Sequence, residues 1–189
     1  MAPLKATVCS GNPHKLAEFR ELFGDWDLEL LEGVEFPPEH GATYADNARS
    51  KARFGREVGP ADRWMLADDS GIEVEALGGA PGVLTARWAE GRHVEKALAV
   101  LEGVDDRRAQ YVCELVAIAP DGGEVVGTGV LRGAIALSAA GSEGFGFDPV
   151  FVPLGETRTV AELGDAWKAE HSHRALAAHA LRDAISQRR

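Results

Sequence analysis

Two adjacent acidic residues, Asp68 and Asp69, have the clearest capacity for chemistry in this sequence. They follow an apolar run at 64–67 and precede Ser-Gly at 70–71, after which residues 72–76 alternate between apolar and acidic side chains. That period of two predicts a strand, so the acids would lie where one extended segment ends and another begins. Paired carboxylates suit a divalent cation or general-base catalysis, because hard cations prefer oxygen ligands. Asp-Ser-Gly also favours an ordinary turn, and these residues alone leave both interpretations open.

The composition limits the classes of protein to consider. The chain has 189 residues, 45% of them hydrophobic and 26% charged, which fits one soluble domain with up to two lobes and a sizeable core. The formal net charge of −10 argues against nucleic-acid binding, which depends on Lys and Arg meeting phosphates. A small anionic ligand remains compatible with that charge, since a local cationic pocket or a metal can reverse the sign of the potential.

The cysteines and the chain ends predict a cytoplasmic location. Cys9 and Cys113 both fall in predicted strands and favour reduced core residues, although a disulfide between them is the alternative. No apolar signal segment precedes the first predicted strand, and no stretch is long enough for a membrane span. We therefore expect a cytoplasmic protein without a membrane segment.

A strand, a loop of small residues and a helix open the chain. Residues 4–9 alternate as a strand, and apolar residues at helical spacing follow from residue 16. Asn12 is a candidate helix cap with Pro13 in the first helical position, which places Lys15 in the first turn. Free backbone N–H groups, the helix dipole and the Lys15 charge make this a candidate phosphate site. A capped surface helix with a solvated lysine would have the same sequence.

The remaining predicted elements alternate between strands and helices. Strands are expected at 26–31, 109–119, 124–137 and 150–152, and helices at 92–102, after Thr43 and throughout the C-terminal part. Residues 120–123, Pro-Asp-Gly-Gly, predict a hairpin turn. Thr43 and Asp46 have the spacing of a capping box, which we favour over metal binding for Asp46.

A second helix N-terminus carries cations. Ser172 can cap the last helix, with His173 and Arg174 in its first turn. Cations normally disfavour that end of a helix, which suggests that an anion occupies the site. His171 and His173 also have a spacing open to a metal, but no further histidine or cysteine ligand lies nearby. Lys168 and Arg174 could alternatively belong to a solvated cationic surface.

Six segments in this order resemble the inosine triphosphate pyrophosphatase family, the enzymes that clear noncanonical purine nucleoside triphosphates. They are residues 10–15, 43–48, 68–74, 77–82, 144–149 and 172–174. The resemblance implies a single elongated α/β domain over 1–189, with a long mixed sheet flanked by helices and an active-site cleft between two lobes. It also implies Mg²⁺, a homodimer, and hydrolysis of the triphosphate to monophosphate and pyrophosphate.

The resemblance also implies roles for individual residues. Asp69 matches the general base and metal ligand, and Glu39 and Asp68 are the candidates for further metal ligands. Phosphate contacts are implied for the loop ending at Lys15, and base contacts for the loop at 145–148. The complete set of implied substrate-binding residues is Ser10, Gly11, Asn12, Pro13, His14, Lys15, Ser70, Phe145, Gly146, Phe147, Asp148, Lys168, His173 and Arg174.

Two other functions are compatible with the same motifs. A nucleotide pyrophosphatase with a different base preference would use the same phosphate-binding residues and differ in the loop at 145–148. A nucleotide-binding module without catalysis would retain the pocket and lose the chemistry. The presence of both Asp68 and Asp69, together with Lys15 and Lys168, argues against the second alternative.

Overall fold

The computed structural model describes residues 3–12, 14–89 and 91–188, which alternate between strands and helices. The strands are β1 (Lys5–Val8), β2 (Asp27–Leu30), β3 (Trp64–Val74), β4 (Arg108–Ile118), β5 (Glu124–Ile135) and β6 (Phe151–Pro153). The α-helices are α1 (His14–Leu22), α2 (Tyr44–Val58), α3 (Thr85–Trp88), α4 (His93–Val100), α5 (Val160–Leu163), α6 (Asp165–His171) and α7 (His173–Arg188). Two short 3₁₀ turns occupy Glu75–Leu77 and Gly82–Leu84.

The six strands form one mixed sheet in the order β2-β1-β3-β4-β5-β6. Strand β1 is parallel to both β2 and β3, whereas β5 is antiparallel to β6. The predicted mixed α/β architecture is therefore confirmed. By its contacts the chain divides into two compact units, which are described separately: unit 1 comprises the described residues of 1–69, 113–129 and 177–189, and unit 2 those of 70–112 and 130–176.

Helices cover both faces of the sheet in unit 1. On one face, α1 and the unit-1 part of α7 pack through Phe19 and Leu181 into a core that includes Leu66 of β3. On the other face, α2 packs through Ala48 and Ala52 into a second core, which includes the β3 residues Met65 and Ala67. Consecutive residues of β3 thus enter opposite cores, as the alternation of side chains along a strand requires.

Unit 2 has a core of its own. Ile72 from β3, Tyr111 from β4 and Ile135 from β5 meet Ala97 of α4 and Phe151 of β6 there. Each of these five side chains is at most 8% exposed. This packing holds the segment at 144–150, between β5 and β6, against the sheet through the buried residues Phe147 and Val150.

The expectation that one extended segment ends at Asp68 and Asp69 and another begins after them is wrong. Strand β3 continues without interruption from Trp64 to Val74, so Asp68 and Asp69 lie within a strand and not at its end. The pairing of β1 with β3 extends to Val8 and Leu66, and β4 is the neighbour of β3 on its other side in the sheet. Sheet pairing therefore overrides the local turn preference of Asp-Ser-Gly.

Other local predictions are confirmed. The hairpin turn forms between β4 and β5, where Gly122 has φ +85°, a conformation that glycine adopts without strain. Thr43 caps α2 by accepting a hydrogen bond from the Asp46 N–H at 3.1 Å, and its hydroxyl donates to the Asp46 carboxylate at 2.8 Å. Asp46 therefore serves the helix terminus. No helix among the described residues has the length and apolar character needed to cross a membrane.

Both cysteines are buried free thiols, as predicted. Burial is the main effect that raises the pKa of Cys9, to about 12. We expect iodoacetamide at pH 8 to label Cys9 of the native protein at least about a thousandfold more slowly than Cys9 of the urea-unfolded chain, because little Cys9 thiolate forms in the folded state. Mass spectrometry of timed samples measures both rates. Similar labelling of Cys9 in the native and unfolded chains would contradict the buried position of this thiol.

Candidate active site

The two adjacent carboxylates lie just beyond the end of a parallel strand. Val8, the last residue of β1, pairs with Leu66, and the Cys9 N–H donates to the Leu66 carbonyl at 2.7 Å. Strand β3 continues past this point to Asp68 and Asp69, while the chain leaves β1 into the loop that begins at Ser10. The carboxyl ends of parallel strands are where α/β proteins commonly bind ligands.

Strand alternation gives the two acids different partners. Asp68 has the same parity as Leu66, which faces α1, and its Oδ1 accepts from Lys15 Nζ of α1 at 2.5 Å. Asp69 has the parity of Ala67, which faces α2, and its Oδ2 accepts from Asn47 Nδ2 of α2 at 2.8 Å. Both carboxylates are buried, with 1% and 8% of their surface exposed. One acid is therefore ion-paired, and the other is held by a neutral amide.

The loop after β1 folds into a compact turn. Ser10 is buried, and its hydroxyl accepts from the Asn12 N–H at 3.1 Å. The Lys15 N–H donates to the Asn12 carbonyl at 3.2 Å, and α1 begins at His14, so Lys15 lies in the first helical turn as predicted. Pro13 and the side chain of His14 lie outside the described residues. The Asn12 and Lys15 N–H groups both donate within the turn, and anion binding by this loop stays a prediction.

A second lysine, Lys51 of α2, lies among the acids. Its Nζ donates to Glu39 Oε1 at 2.6 Å. Burial alone would lower the pKa of Lys51, but the charges of Asp68, Glu39 and Asp69 outweigh it and raise that pKa above its ordinary value. Lys51 is therefore a buried, fully charged ammonium at neutral pH.

Asp69 has the properties of a base. Burial is the largest effect and raises its pKa above the ordinary value of 3.8; the Asn47 hydrogen bond and the Lys51 charge act in the opposite direction. The negative charges of Glu39 and Asp68 raise the pKa further. A carboxylate with a raised pKa accepts a proton more readily than a solvated one.

The donor atoms in this region suit a hard cation. Within the described residues, no three His, Cys, Asp or Glu side chains meet in a metal-binding arrangement. Mg²⁺ does not require such a group, because it is usually bound by one or two carboxylates together with substrate phosphates and water. The Asp68, Glu39 and Asp69 carboxylates attract the Lys51 ammonium. Its position therefore has a negative potential and nearby oxygen atoms, which are the conditions that a hard cation requires.

Unit 2 contains a separate cluster of predicted site residues around Asp148. This carboxylate is 4% exposed. Its Oδ2 accepts from Lys168 Nζ at 2.7 Å and from the Phe145 N–H at 2.8 Å, and its Oδ1 accepts from the Tyr111 hydroxyl at 3.3 Å. Gly144 has φ +76°, and a Cβ there would lie 2.2 Å from Asp148 Oδ2, so this loop requires glycine.

The two aromatic residues of the loop have different environments. Phe145 is 58% exposed, and the Lys168 ammonium lies 3.9 Å from its ring centroid. Phe147 is 3% exposed and packs between Trp88 and His93, with ring centroids 6.1 and 5.1 Å away. Phe145 is therefore the aromatic residue of this loop that is free to contact a ligand ring, whereas Phe147 belongs to the core.

The start of α7 has the predicted cap. The Ser172 hydroxyl accepts from the Ala175 N–H at 3.1 Å, and the helix begins at His173. Arg174 is buried and its Nη2 donates to the Ser70 hydroxyl at 3.3 Å. The ring of His173 stacks on Tyr111. Ser70, His173 and Arg174 therefore lie in unit 2, which also contains Asp148.

Sequence reasoning missed three residues of these clusters: Asn47, Lys51 and Tyr111. The first two lie four positions apart on α2, among the buried residues of that helix. Asn47 and Lys51 are polar residues four positions apart on the otherwise apolar face of α2, and this pattern could have identified them from the sequence. Tyr111 falls on the apolar face of a predicted strand, where an aromatic residue indicates only packing.

The fold is similar to that of solved structures over nearly the whole chain. The structure of the Staphylococcus aureus Ham1 protein superposes with a TM-score of 0.86 at 31% identity, covering 98% of this chain and 100% of that one. Two curated relatives are both named dITP/XTP pyrophosphatase. The protein from Bdellovibrio bacteriovorus is 40% identical (92% of this chain, 94% of the relative), and that from Mycobacterium tuberculosis is 44% identical (96% and 95%).

Fold and site thus define a mixed α/β protein in which two buried acids of β3 lie just beyond the end of the parallel strand β1 and interact with lysines of α1 and α2. The Ham1 family model matches residues 6–184. The chain belongs to the Ham1 family, and the family resemblance inferred from the six sequence segments is confirmed.

Replacement of Lys51 tests the electrostatic balance of unit 1. We expect Lys51→Met to lower the free energy of unfolding at pH 7 by about 2–3 kcal/mol, because it leaves buried carboxylates uncompensated. This is less than for a fully buried pair, since the Glu39 side chain is 35% exposed. Urea unfolding measures the loss.

The matched control is Lys5→Met, which removes an exposed lysine 3.7 Å from Asp62, with side chains 54% and 73% exposed. We expect this control to change the free energy of unfolding by less than about 0.5 kcal/mol. Equal effects of the two substitutions would contradict the role of Lys51 as the compensating charge.

Proposed function

We propose that this chain hydrolyses noncanonical purine nucleoside triphosphates, such as dITP and XTP, to the monophosphate and pyrophosphate. The observation that carries the proposal is a buried carboxylate with a raised pKa, Asp69, in a cluster with the ammonium groups of Lys15 and Lys51. The relatives named dITP/XTP pyrophosphatase, at 40% and 44% identity, support the choice of base.

The cations of unit 1 would bind the triphosphate. The substrate carries about four negative charges near neutral pH, and a protein with a net charge of −10 must supply local positive potential to bind it. Lys15, Lys51 and the amides at the N-terminus of α1 provide it. Because Lys15 and Lys51 are already paired with Asp68 and Glu39, they are held in place before the substrate arrives.

In the proposed reaction, a water oxygen attacks the α-phosphorus. The bond between that phosphorus and the oxygen bridging to the β-phosphate breaks, and pyrophosphate leaves with the bonding electrons. Asp69 accepts the proton of the attacking water on its carboxylate, and Asn47 holds that carboxylate in position. Lys15 and Lys51 offset charge on the phosphates as it moves towards the leaving group.

We propose Mg²⁺ as the metal, with Asp69 and Glu39 as its protein ligands and Asp68 as the partner of Lys15. When bound, Mg²⁺ would lower the pKa of a bound water and offset charge on the phosphates. The family resemblance also leads us to propose a homodimer that works in the cytoplasm.

The residues of unit 2 would recognise the base. Phe145 presents an exposed ring for stacking on the purine. Lys168 and Arg174 can donate to a 6-oxo group, which hypoxanthine and xanthine have and adenine lacks. A hydrogen-bonding site discriminates strongly, because a mismatched base leaves buried polar groups unpaired. His173 and Asp148 would complete this site.

A substrate panel tests the proposed function. We expect dITP and XTP to be hydrolysed with kcat/KM at least about a hundredfold above that of ATP, which lacks the 6-oxo group, in the presence of Mg²⁺. GTP, which has the 6-oxo group and an additional 2-amino group, is the fourth substrate. The product is measured as nucleoside monophosphate by chromatography and as pyrophosphate by a coupled assay. Equal turnover of all four substrates would remove the base specificity, and release of orthophosphate with a diphosphate product would contradict attack at the α-phosphorus.

Asp69→Asn tests the general base. We expect kcat for dITP to fall at least about a hundredfold, because the amide cannot accept the proton. The folded protein should not be destabilised. Since the folded pKa of Asp69 is raised, its ionisation weakens folding as the pH rises through that pKa, and the substitution removes this effect at neutral pH.

Thermal unfolding at pH 7 checks that the Asp69→Asn variant is folded. The matched control is Asp62→Asn, whose side chain is 73% exposed, and which should turn over dITP at the rate of the unmodified protein. An Asp69→Asn variant with near-normal kcat would exclude Asp69 as the base.

A further inference from the structure

Tyr111 connects two segments of unit 2 that contain the proposed base-binding residues. It lies in β4 and is 8% exposed. Its hydroxyl donates to Asp148 Oδ1 at 3.3 Å, in the loop after β5. Its ring stacks on the His173 imidazole at the start of α7, with centroids 4.6 Å apart and planes 7° from parallel. One buried side chain therefore contacts both segments.

The remaining contacts of Tyr111 fix its own position. Its ring packs against Phe151 of β6, with centroids 4.6 Å apart and planes inclined by 49°. Burial, and then the negative charge of Asp148, raise the pKa of the Tyr111 hydroxyl well above its ordinary value. The hydroxyl is therefore protonated at any pH at which the enzyme would work, and it donates its proton to the carboxylate.

Asp148 in turn organises the groups that would contact the base. Its Oδ2 is occupied by Lys168 Nζ and the Phe145 N–H. The Tyr111 hydroxyl is the donor to the other oxygen, Oδ1. A carboxylate that accepts hydrogen bonds through both oxygens cannot rotate about its terminal torsion without breaking a bond. The Tyr111 hydrogen bond therefore helps to fix the orientation of the Asp148 carboxylate, and with it the position of the Lys168 ammonium.

We propose that Tyr111 is a positioning residue for base recognition, which orients the Asp148 carboxylate and the His173 ring so that Lys168 and Phe145 meet a 6-oxopurine in a fixed geometry. This inference rests on the proposed function. Tyr111 makes no contact with the base itself, and its effect is transmitted through Asp148 and His173.

The alternative is that Tyr111 only fills the core of unit 2. The two roles differ in what the hydroxyl contributes. Tyr111→Phe retains the ring, its stacking on His173 and its packing against Phe151, and removes only the bond to Asp148. A packing residue would tolerate this change without any effect on substrate choice, whereas a positioning residue would not.

The test is steady-state kinetics of Tyr111→Phe with dITP and dATP in the presence of Mg²⁺. We expect KM for dITP to rise about fivefold with kcat within about twofold, because one moderately long hydrogen bond to a charged group is lost and the phosphate chemistry is unaffected. The ratio of kcat/KM for dITP to that for dATP should fall by a similar factor, since the donors that recognise the 6-oxo group, which adenine lacks, are less well oriented.

Tyr44→Phe is the matched control, because Tyr44 is a buried tyrosine of unit 1 that takes no part in the proposed base site. It should leave both KM and the selectivity ratio within about twofold of the unmodified protein. A second variant, Tyr111→Leu, also removes the stacking on His173 and should lower the selectivity ratio further than Tyr111→Phe does.

The outcomes separate this inference from the proposed function. If the unmodified protein hydrolyses dITP and Tyr111→Phe retains its KM and selectivity ratio, Tyr111 is a packing residue and the inference fails alone. A lower melting temperature with unchanged selectivity leads to the same conclusion. If the unmodified protein does not hydrolyse dITP, the proposed function fails and the inference fails with it.

Discussion

The burial of two adjacent carboxylates within strand β3 is the constraint on which the organisation of unit 1 depends. Ionised carboxylates are costly to remove from water unless charged or hydrogen-bonding partners replace the solvent. Because neighbouring residues of a strand point to opposite faces, Asp68 and Asp69 have different hydrogen-bond partners. Helix α1 supplies Lys15 to the first, and helix α2 supplies Asn47 and the charge of Lys51 to the second. The two helices are thus bound to the site by charge as well as by packing.

This arrangement explains how an acidic protein can bind a polyphosphate. The ammonium groups of Lys15 and Lys51 are positioned by carboxylates before any ligand is present. Incoming phosphates or a metal ion would meet charged groups that are already held in place, and such preorganisation favours electrostatic catalysis. Asp148 has the equivalent role in unit 2, where three donors fix one carboxylate and leave the Phe145 ring exposed.

Local sequence patterns predicted most of the elements and the positions of two residues within them correctly. The position of Lys15 in the first turn of α1 and the cap at Ser172 follow from spacing and capping preferences. The uninterrupted path of β3 through Ser70 could not be predicted, because it depends on pairing with neighbouring strands. Lys51 and Tyr111 were missed for a related reason. Their importance comes from contacts with residues 12 and 37 positions away along the chain.

The most direct test of the account is a crystal structure with Mg²⁺ and a dITP analogue whose α,β-bridging oxygen is replaced by an imido group. We predict Mg²⁺ within about 2.1 Å of carboxylate oxygens of Asp69 and Glu39, with its remaining ligands supplied by phosphates and water. Lys15 and Lys51 should contact the phosphates, and a water held by Asp69 should face the α-phosphorus. A bound triphosphate and metal that leave Asp69 without contact to either the metal or that water would contradict the account.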